Sequence, residues 1–444
     1  MANPNSHGLI KKMFAKKGLF FPIVGVLTLM TFIYMSFGDD FSVSNVFKQQ
    51  NYSFVKVIGH QLMLDENPFY INGWNSYWLM DHAVEESSRA RVKEMLEYGS
   101  KMGLTVCRTW AFNDAAYHAL QLSPGHFDEQ TFQALDYVIA EARQNGVRLI
   151  FSLVNNLQAY GGKTQYVKWA WQEGLGISSS NDSFFYDPTI QTYFKNYVKA
   201  VLTRKNTITG IEYRNDPIIL AWELINEPRC ASDPSGDTLQ EWIKEMSEYI
   251  KTIDEKHLVT IGLEGFYDSK SSKAAVNPSK FTTALGTDFI RNNDIPTIDF
   301  ASFHMYPDKW VEDNLDEKLE FVKKWMSSHI EDAEKQLKKP VILSEFGLSS
   351  HSKDFEPSHR DKLIKLVYDI TYKSAKRNKA GAGSFIWQFV VKGMEKYNDD
   401  FGVIPWEMQS TYNVIVEQSC RLARLRGPSE LKGSLRDACL RSQQ

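Results

Sequence analysis

The segment "AWELINEPRC", residues 221 to 230, is apolar up to Ile225 and then presents Asn226, Glu227 and Pro228 in succession. Proline lacks the N–H that a strand ladder needs, so an element that begins here as a core strand stops with Glu227 at its rim. The same ending recurs in "VILSEFG", 341 to 347, which carries Glu345. Two carboxyl groups brought together in partly apolar surroundings divide their ionisation: one keeps its proton and acts as an acid, while the other stays charged as base or nucleophile. A lone strand-end glutamate reads more simply as half of a structural ion pair, and Arg108 in "TVCRTWAF" (105 to 112) is a ready partner.

Which reading holds depends on the elements that position these groups. Eight apolar, β-prone runs recur along the chain: "FYINGWN" (69 to 75), "TVCRTWAF", "VRLIFSLVN" (147 to 155), "IILAWELIN" (218 to 226), "LVTIGLE" (258 to 264), "DFASFHMY" (299 to 306), "VILSEFG" and "AGSFIWQF" (382 to 389). Between them lie amphipathic stretches such as 86 to 102, 131 to 146 with Gly146 as a stop, and 239 to 256. Eight strand–helix units predict an α/β fold, a (β/α)8 TIM barrel, in which reactive side chains gather at the C-terminal strand ends. Seven of the runs end in polar or aromatic groups: Arg108 with Trp110, Asn155, Asn226 with Glu227, Glu264, His304 with Tyr306, Glu345, and Trp387. Their convergence on one face favours a reactive site over isolated ion pairs. The stretches 156 to 217 and 265 to 298 exceed a minimal connection and are expected to add loops that shape a groove there.

A net charge of −3 on 444 residues argues against nucleic acid as a partner. Aromatic residues make up 13% of the chain, with 11 Trp, which suits either packing or stacking platforms for a ligand with apolar faces. Ahead of the barrel, Lys11, Lys12, Lys16 and Lys17 precede an uncharged apolar segment, 19 to 38, long enough to cross a bilayer as one N-terminal hydrophobic helix. It reads as a signal anchor or a cleaved signal peptide, and either delivers the rest of the chain to the secretory pathway. The layout is a cytosolic basic segment (1 to 18), the apolar helix (19 to 38), a stem (39 to 53), the barrel (54 to 420) and a basic C-terminal tail (421 to 444). Two sequons place glycosylation at Asn51 and Asn181. Of the four cysteines, Cys439 in the tail is expected to be a free thiol or a bridge to a second copy in a disulfide-linked homodimer.

Hydrolysing a glycosidic bond with retention needs one protonated and one ionised carboxyl, roughly 5 to 5.5 Å apart, and strands four and seven of a barrel face one another closely enough for this. At this point the chain resembles a known group of proteins. "WELINEPRC" and "LSEFG", with "RTWAF", "FHMYPD" and "IWQF", resemble glycoside hydrolase family 5 and within it the plant endo-β-1,4-mannanases; the likeness runs from about 54 to about 420 and includes "SLVNNLQAYGGKTQYVKWA" and "DPSGDTLQEWI". The resemblance implies Glu227 as acid/base and Glu345 as nucleophile, with Arg108 keeping Glu345 ionised. It further implies that Asn226 binds the 2-hydroxyl, that His304 and Tyr306 bond the carboxylates, and that Trp387 floors the subsite of the reacting mannose. Asn155, Trp78 and Trp110 would be further groove residues, Trp110 reading equally well as core. The substrate would be mannan, glucomannan or galactomannan of the cell wall, cut internally, without metal or cofactor, by an extracellular enzyme that is secreted or held as a single-pass type II membrane protein. Three alternatives stay open: a mannan transglycosylase, a β-1,4-glucanase of the same fold, and an inactive wall-binding protein.

Overall fold

The computed structural model describes residues 51–114, 117–176, 178, 180–312, 314–427 and 433–441. The basic segment 1 to 18, the apolar segment 19 to 38 and the stem up to residue 50 lie outside the described residues, among which no helix is long and apolar enough to cross a membrane. Eight parallel strands form one sheet: β1 (Ile71–Asn75), β2 (Val106–Trp110), β3 (Arg148–Ser152), β4 (Ile219–Glu223), β5 (Leu258–Thr260), β6 (Ala301–Met305), β7 (Val341–Phe346) and β8 (Gly381–Ile386). All their residues are buried, as expected of parallel strands covered on both faces. The spatial order β5-β4-β3-β2-β1-β8-β7-β6 closes into a barrel where Asp299 N donates to Val259 O at 2.8 Å, Thr260 Oγ1 to Phe300 O at 2.9 Å and His304 N to Glu264 O at 3.1 Å.

Around the barrel run α1 (Glu86–Lys101), α2 (Glu129–Asn145), α3 (Pro188–Leu202), α4 (Asp237–Ile253), α5 (Phe289–Asn293), α6 (Leu315–Asp332), α7 (Pro357–Lys376) and α8 (Gln409–Arg426). Local chemistry sets their ends. Asp128 caps α2 by accepting from Thr131 N at 2.8 Å, and Gly146, at φ 69°, closes it in the left-handed conformation that glycine adopts without strain. Inside the barrel, Ile71, Val106, Ile150, Leu220, Ile342 and Phe385 pack together, and the Phe385 ring lies over Gly73 where any Cβ would collide. The small antiparallel sheet Lys56–Ile58, Gln61–Leu64 and Asn67–Pro68 adds Leu62 to this cluster, and Val55, just ahead of the sheet, joins it.

Two expectations change. The fifth strand is shorter than "LVTIGLE" suggested, because Gly262, at φ 97°, turns the chain so that its carbonyl accepts from Glu227 N at 2.9 Å instead of extending the ladder. Cys439 is not a free thiol: the helix Gly433–Arg441 packs on α8 and brings it into a disulfide with Cys420, Cα to Cα 5.7 Å. The remaining cysteines, Cys107 and Cys230, are buried.

Candidate active site

At the C-terminal end of the barrel, β7 delivers Glu345 to a pocket of hydrogen-bond donors. Arg108 Nη1 donates to its Oε1 at 2.5 Å, and the Tyr306 hydroxyl donates to its Oε2 at 2.6 Å. Glu227 stands opposite, past the end of β4, at φ 51°, a left-handed conformation rare for a residue with a side chain. Its backbone is held by Gly262 O, and its Oε1 lies 2.8 Å from His304 Nδ1. His304 Nδ1 is also 3.5 Å from Glu345 Oε2, and one carboxylate oxygen of each glutamate lies within 4.8 Å of the other. These three residues offer donor atoms close enough to ligate a cation, but each is already hydrogen-bonded, and the buried Arg108 guanidinium supplies positive charge beside them.

Arg108 is itself fixed from several sides. Its Nε and Nη2 reach Glu223 Oε2 and Oε1 at 2.8 and 2.6 Å, Nη1 also reaches Asn75 Oδ1 at 3.0 Å, and Nη2 reaches Asn226 Oδ1 at 2.7 Å. Asn226 in turn donates to Asn155 Oδ1 at 3.1 Å, joining the ends of β3 and β4. Ser152 Oγ donates to Glu223.

Burial raises both carboxyls above their ordinary range. At Glu345 it is opposed by His304, Arg108 and the Tyr306 hydrogen bond, and at Glu227 by the more distant charges of Arg229 and Arg108. Donors converging on Glu345 favour its ionised form, whereas Glu227, with fewer of them, is the more favourable holder of a proton shared by the pair. Burial lowers His304, which favours the neutral imidazole, and its Nδ1 shares a hydrogen bond with Glu227 Oε1. Glu264 is pushed up to about 7 by burial and by the Glu227 charge, even though Arg229 bonds it at 2.7 and 2.6 Å.

A groove of about 460 Å³ passes over the pair, walled by Tyr77, Trp110, Tyr160, Trp310, Trp387 and Phe401. Trp387 stacks on Tyr77 at 5.5 Å with the rings 9° from parallel, and its Nε1 donates to Asp399 Oδ2 at 2.7 Å. Asn155, Asn226 and Tyr306 also line this space, whereas Arg108 and His304 are wholly buried and act through the carboxylates.

The family model described as GH family 5 beta-mannosidase-like matches residues 52–415. The chain belongs to this family. Relatives of the family 5 protein include the Arabidopsis thaliana mannan endo-1,4-beta-mannosidase 2, 62% identical over 91% of this chain and 94% of that one. The Oryza sativa subsp. japonica mannan endo-1,4-beta-mannosidase 2 is 58% identical over 87% and 88%. Among solved structures, the endo-beta-1,4-mannanase of Thermotoga petrophila superposes with a TM-score of 0.69 at 31% identity, covering 82% of this chain and 78% of that one. The endo-1,4-beta-mannanase of Rhizomucor miehei gives 0.68 at 31%, covering 84% and 100%.

Within this family 5 barrel, one sequence expectation is corrected. Trp78 is fully buried, donating Nε1 to Gln388 Oε1 at 3.0 Å and stacking on Tyr397, so it supports the groove from beneath and its neighbour Tyr77 lines the groove instead. Trp110 combines both of its readings, being only 6% exposed yet part of the wall. Sequence reasoning missed Glu223, Asn75, Tyr77, Tyr160, Arg229 and Asp399. For Glu223 a signal existed: a carboxylate inside an apolar strand is costly unless paired, and so marks a buried partner. The sequon residues Asn51 and Asn181 are both exposed.

Proposed function

We propose that this family 5 chain is a retaining endo-β-1,4-mannanase, hydrolysing internal bonds of mannan-type polysaccharides by double displacement. The observation that carries the reading is the closeness of the Glu227 and Glu345 oxygens, within 4.8 Å, which suits direct attack on the sugar and leaves no room for the water that inversion requires. Glu345, charged and steadied by Arg108 and Tyr306, attacks C1 of a β-mannoside while Glu227 gives its proton to the departing oxygen. As the glycosyl ester forms, the negative charge leaves Glu345 and Glu227 becomes the anion, with the His304 Nδ1 proton directed at it. Water then enters, Glu227 removes its proton, and the ester is cleaved. In this reading Asn226 meets the 2-hydroxyl, which its bonds to Arg108 and Asn155 support, and Trp387, in the groove wall, stacks against the reacting ring.

The choice of mannan over glucan rests on the relatives, whose names specify β-1,4-mannan bonds. Delivery to the cell wall rests on the apolar segment 19 to 38, read as a type II signal anchor or signal peptide, and on the exposed sequons at Asn51 and Asn181. Product analysis tests the function. Incubated separately with mannohexaose and cellohexaose, the protein should cut mannohexaose internally and leave cellohexaose intact. Cleavage of cellohexaose alone would establish a glucanase, and transfer products longer than the substrate would establish the transglycosylase.

A further inference from the structure

Four loops at the barrel's C-terminal end meet at one carboxylate outside the catalytic pair. Asp81 sits in the short helix Leu79–Val84 that follows β1. Its Oδ1 lies 2.6 Å from Nδ1 of His118, on the loop after β2. Its Oδ2 accepts the hydroxyl of Tyr160, after β3, at 3.3 Å, and that of Tyr397, after β8, at 2.7 Å. Asp81 does not line the groove, and its side chain is only 12% exposed.

The rings held by this carboxylate are partners of the groove's aromatic wall. Tyr77 packs against Trp110 at 4.8 Å, Trp387 at 5.5 Å, Tyr160 at 5.9 Å and Tyr397 at 6.2 Å. Trp110 ends β2 and the other rings come from the loops after β1, β3 and β8; on the backbone, Asp114 N donates to Tyr160 O at 2.8 Å and so ties the loop after β2 to the loop after β3. Burial raises both the Tyr160 and Tyr397 phenols, so they remain hydrogen-bond donors. Aromatic faces bind sugars only if they are held at a fixed separation and tilt, because a loose ring must be ordered at a cost when ligand arrives.

We infer that Asp81 is a positioning residue for substrate binding: by tying Tyr160, Tyr397 and His118 together beneath Tyr77, it presets the aromatic wall that receives the sugars beyond the one on Trp387. This deepens the mannanase reading and rests on it. Those sugars lie on the side of the groove formed by β1, β2, β3 and β8, away from Glu264 and Arg229. Asp81 touches neither the reacting atoms nor the catalytic carboxyls, so it governs how well a chain is held and where it is cut, leaving the chemical step alone.

The test is steady-state kinetics and product analysis of the full-length protein on mannohexaose, comparing wild type with Asp81→Asn, Asp81→Ala and the double variant Tyr160→Phe/Tyr397→Phe. Loss of wall binding raises KM without changing kcat. The expected result is an increase in KM of about tenfold for Asp81→Ala and the double variant, smaller for Asp81→Asn, with kcat within about twofold and the cut displaced toward products with fewer sugars on that side. Thermal unfolding is followed in parallel. A fall in melting temperature with KM and the cleavage pattern unchanged would overturn the inference and leave Asp81 a purely structural residue. A fall in kcat at constant KM would also overturn it. Absence of mannohexaose turnover by wild type would instead overturn the underlying mannanase reading.

Discussion

Glu223 grips Arg108 at two points, Oε2 on Nε at 2.8 Å and Oε1 on Nη2 at 2.6 Å, while a third nitrogen of the same guanidinium touches Glu345 at 2.5 Å. The orientation of the charge beside Glu345 is therefore set from β4, across the barrel from β7. Both Arg108 and Glu223 are about 1% exposed, so removing one leaves the other charged in a dry interior. Glu223→Ala is expected to lower the unfolding free energy by about 3–5 kcal/mol, the usual cost of orphaning a buried charge. Denaturant unfolding measures this; a loss below about 1 kcal/mol would show that water or a neighbour replaces the carboxylate.

The two glutamates proposed as catalytic should separate by leaving group. Glu345→Ala removes the attacking atom, and turnover should fall at least a thousandfold on every substrate. Glu227→Ala removes only the proton donor, which matters little when the departing group is already a good one. On an aryl β-mannoside with an acidic phenol, Glu227→Ala should form the glycosyl ester rapidly, release a burst of phenol, and then stall for want of a base. Equal losses for both variants on that substrate would show the roles are wrongly divided.

The C-terminal clasp has a cost that follows from chain length. Cys420 and Cys439 are separated by 19 residues, and closing a loop of that size restricts the unfolded chain by about 3 kcal/mol. Cys439→Ser is expected to reduce stability by about that amount while kcat on mannohexaose stays unchanged, since the clasp joins α8 to the helix Gly433–Arg441 and no groove residue lies on either. Unfolding curves with and without reductant give the number. A loss of kcat at full folding would place the clasp in the catalytic machinery.

The barrel, Glu227 and Glu345 were legible because strand ends leave a mark: an apolar run, then a polar residue, then a breaker. Glu223 left a weaker mark. Along β4, Trp222 turns outward and donates Nε1 to Asp254 at 2.7 Å, while Glu223 turns into the barrel, and composition alone averages this alternation into one apolar run. Tyr77 and Trp78 show where reading fails altogether. They are adjacent in the loop after β1, and which one faces the groove is decided by the helix Leu79–Val84 and by Gln388, more than 300 residues away. The cysteine pairing was equally out of reach, because it depends on how two terminal helices pack. Residues placed by strand periodicity can be read from sequence; residues placed by loop packing require the tertiary structure.

Acidity offers the last separation. Glu264 lines the groove beside Glu227, whose charge helps to raise the Glu264 carboxyl, and it bonds Arg229, whose charge lowers Glu227. Removing the Glu264 carboxylate frees Arg229 to act on Glu227, and that positive charge makes Glu227 easier to ionise. In Glu264→Gln the alkaline limb of kcat/KM, which reports loss of the acid's proton, should move to lower pH. Stability should respond too. The folded Glu264 carboxyl titrates near 7 against an ordinary 4.5, so its favourable contribution is complete below about pH 4.5 and is lost as pH rises toward 7. Glu264→Gln should flatten that part of the stability profile, and an alkaline limb that stays in place while the stability profile flattens would show that Glu264 and the acid are not electrostatically coupled.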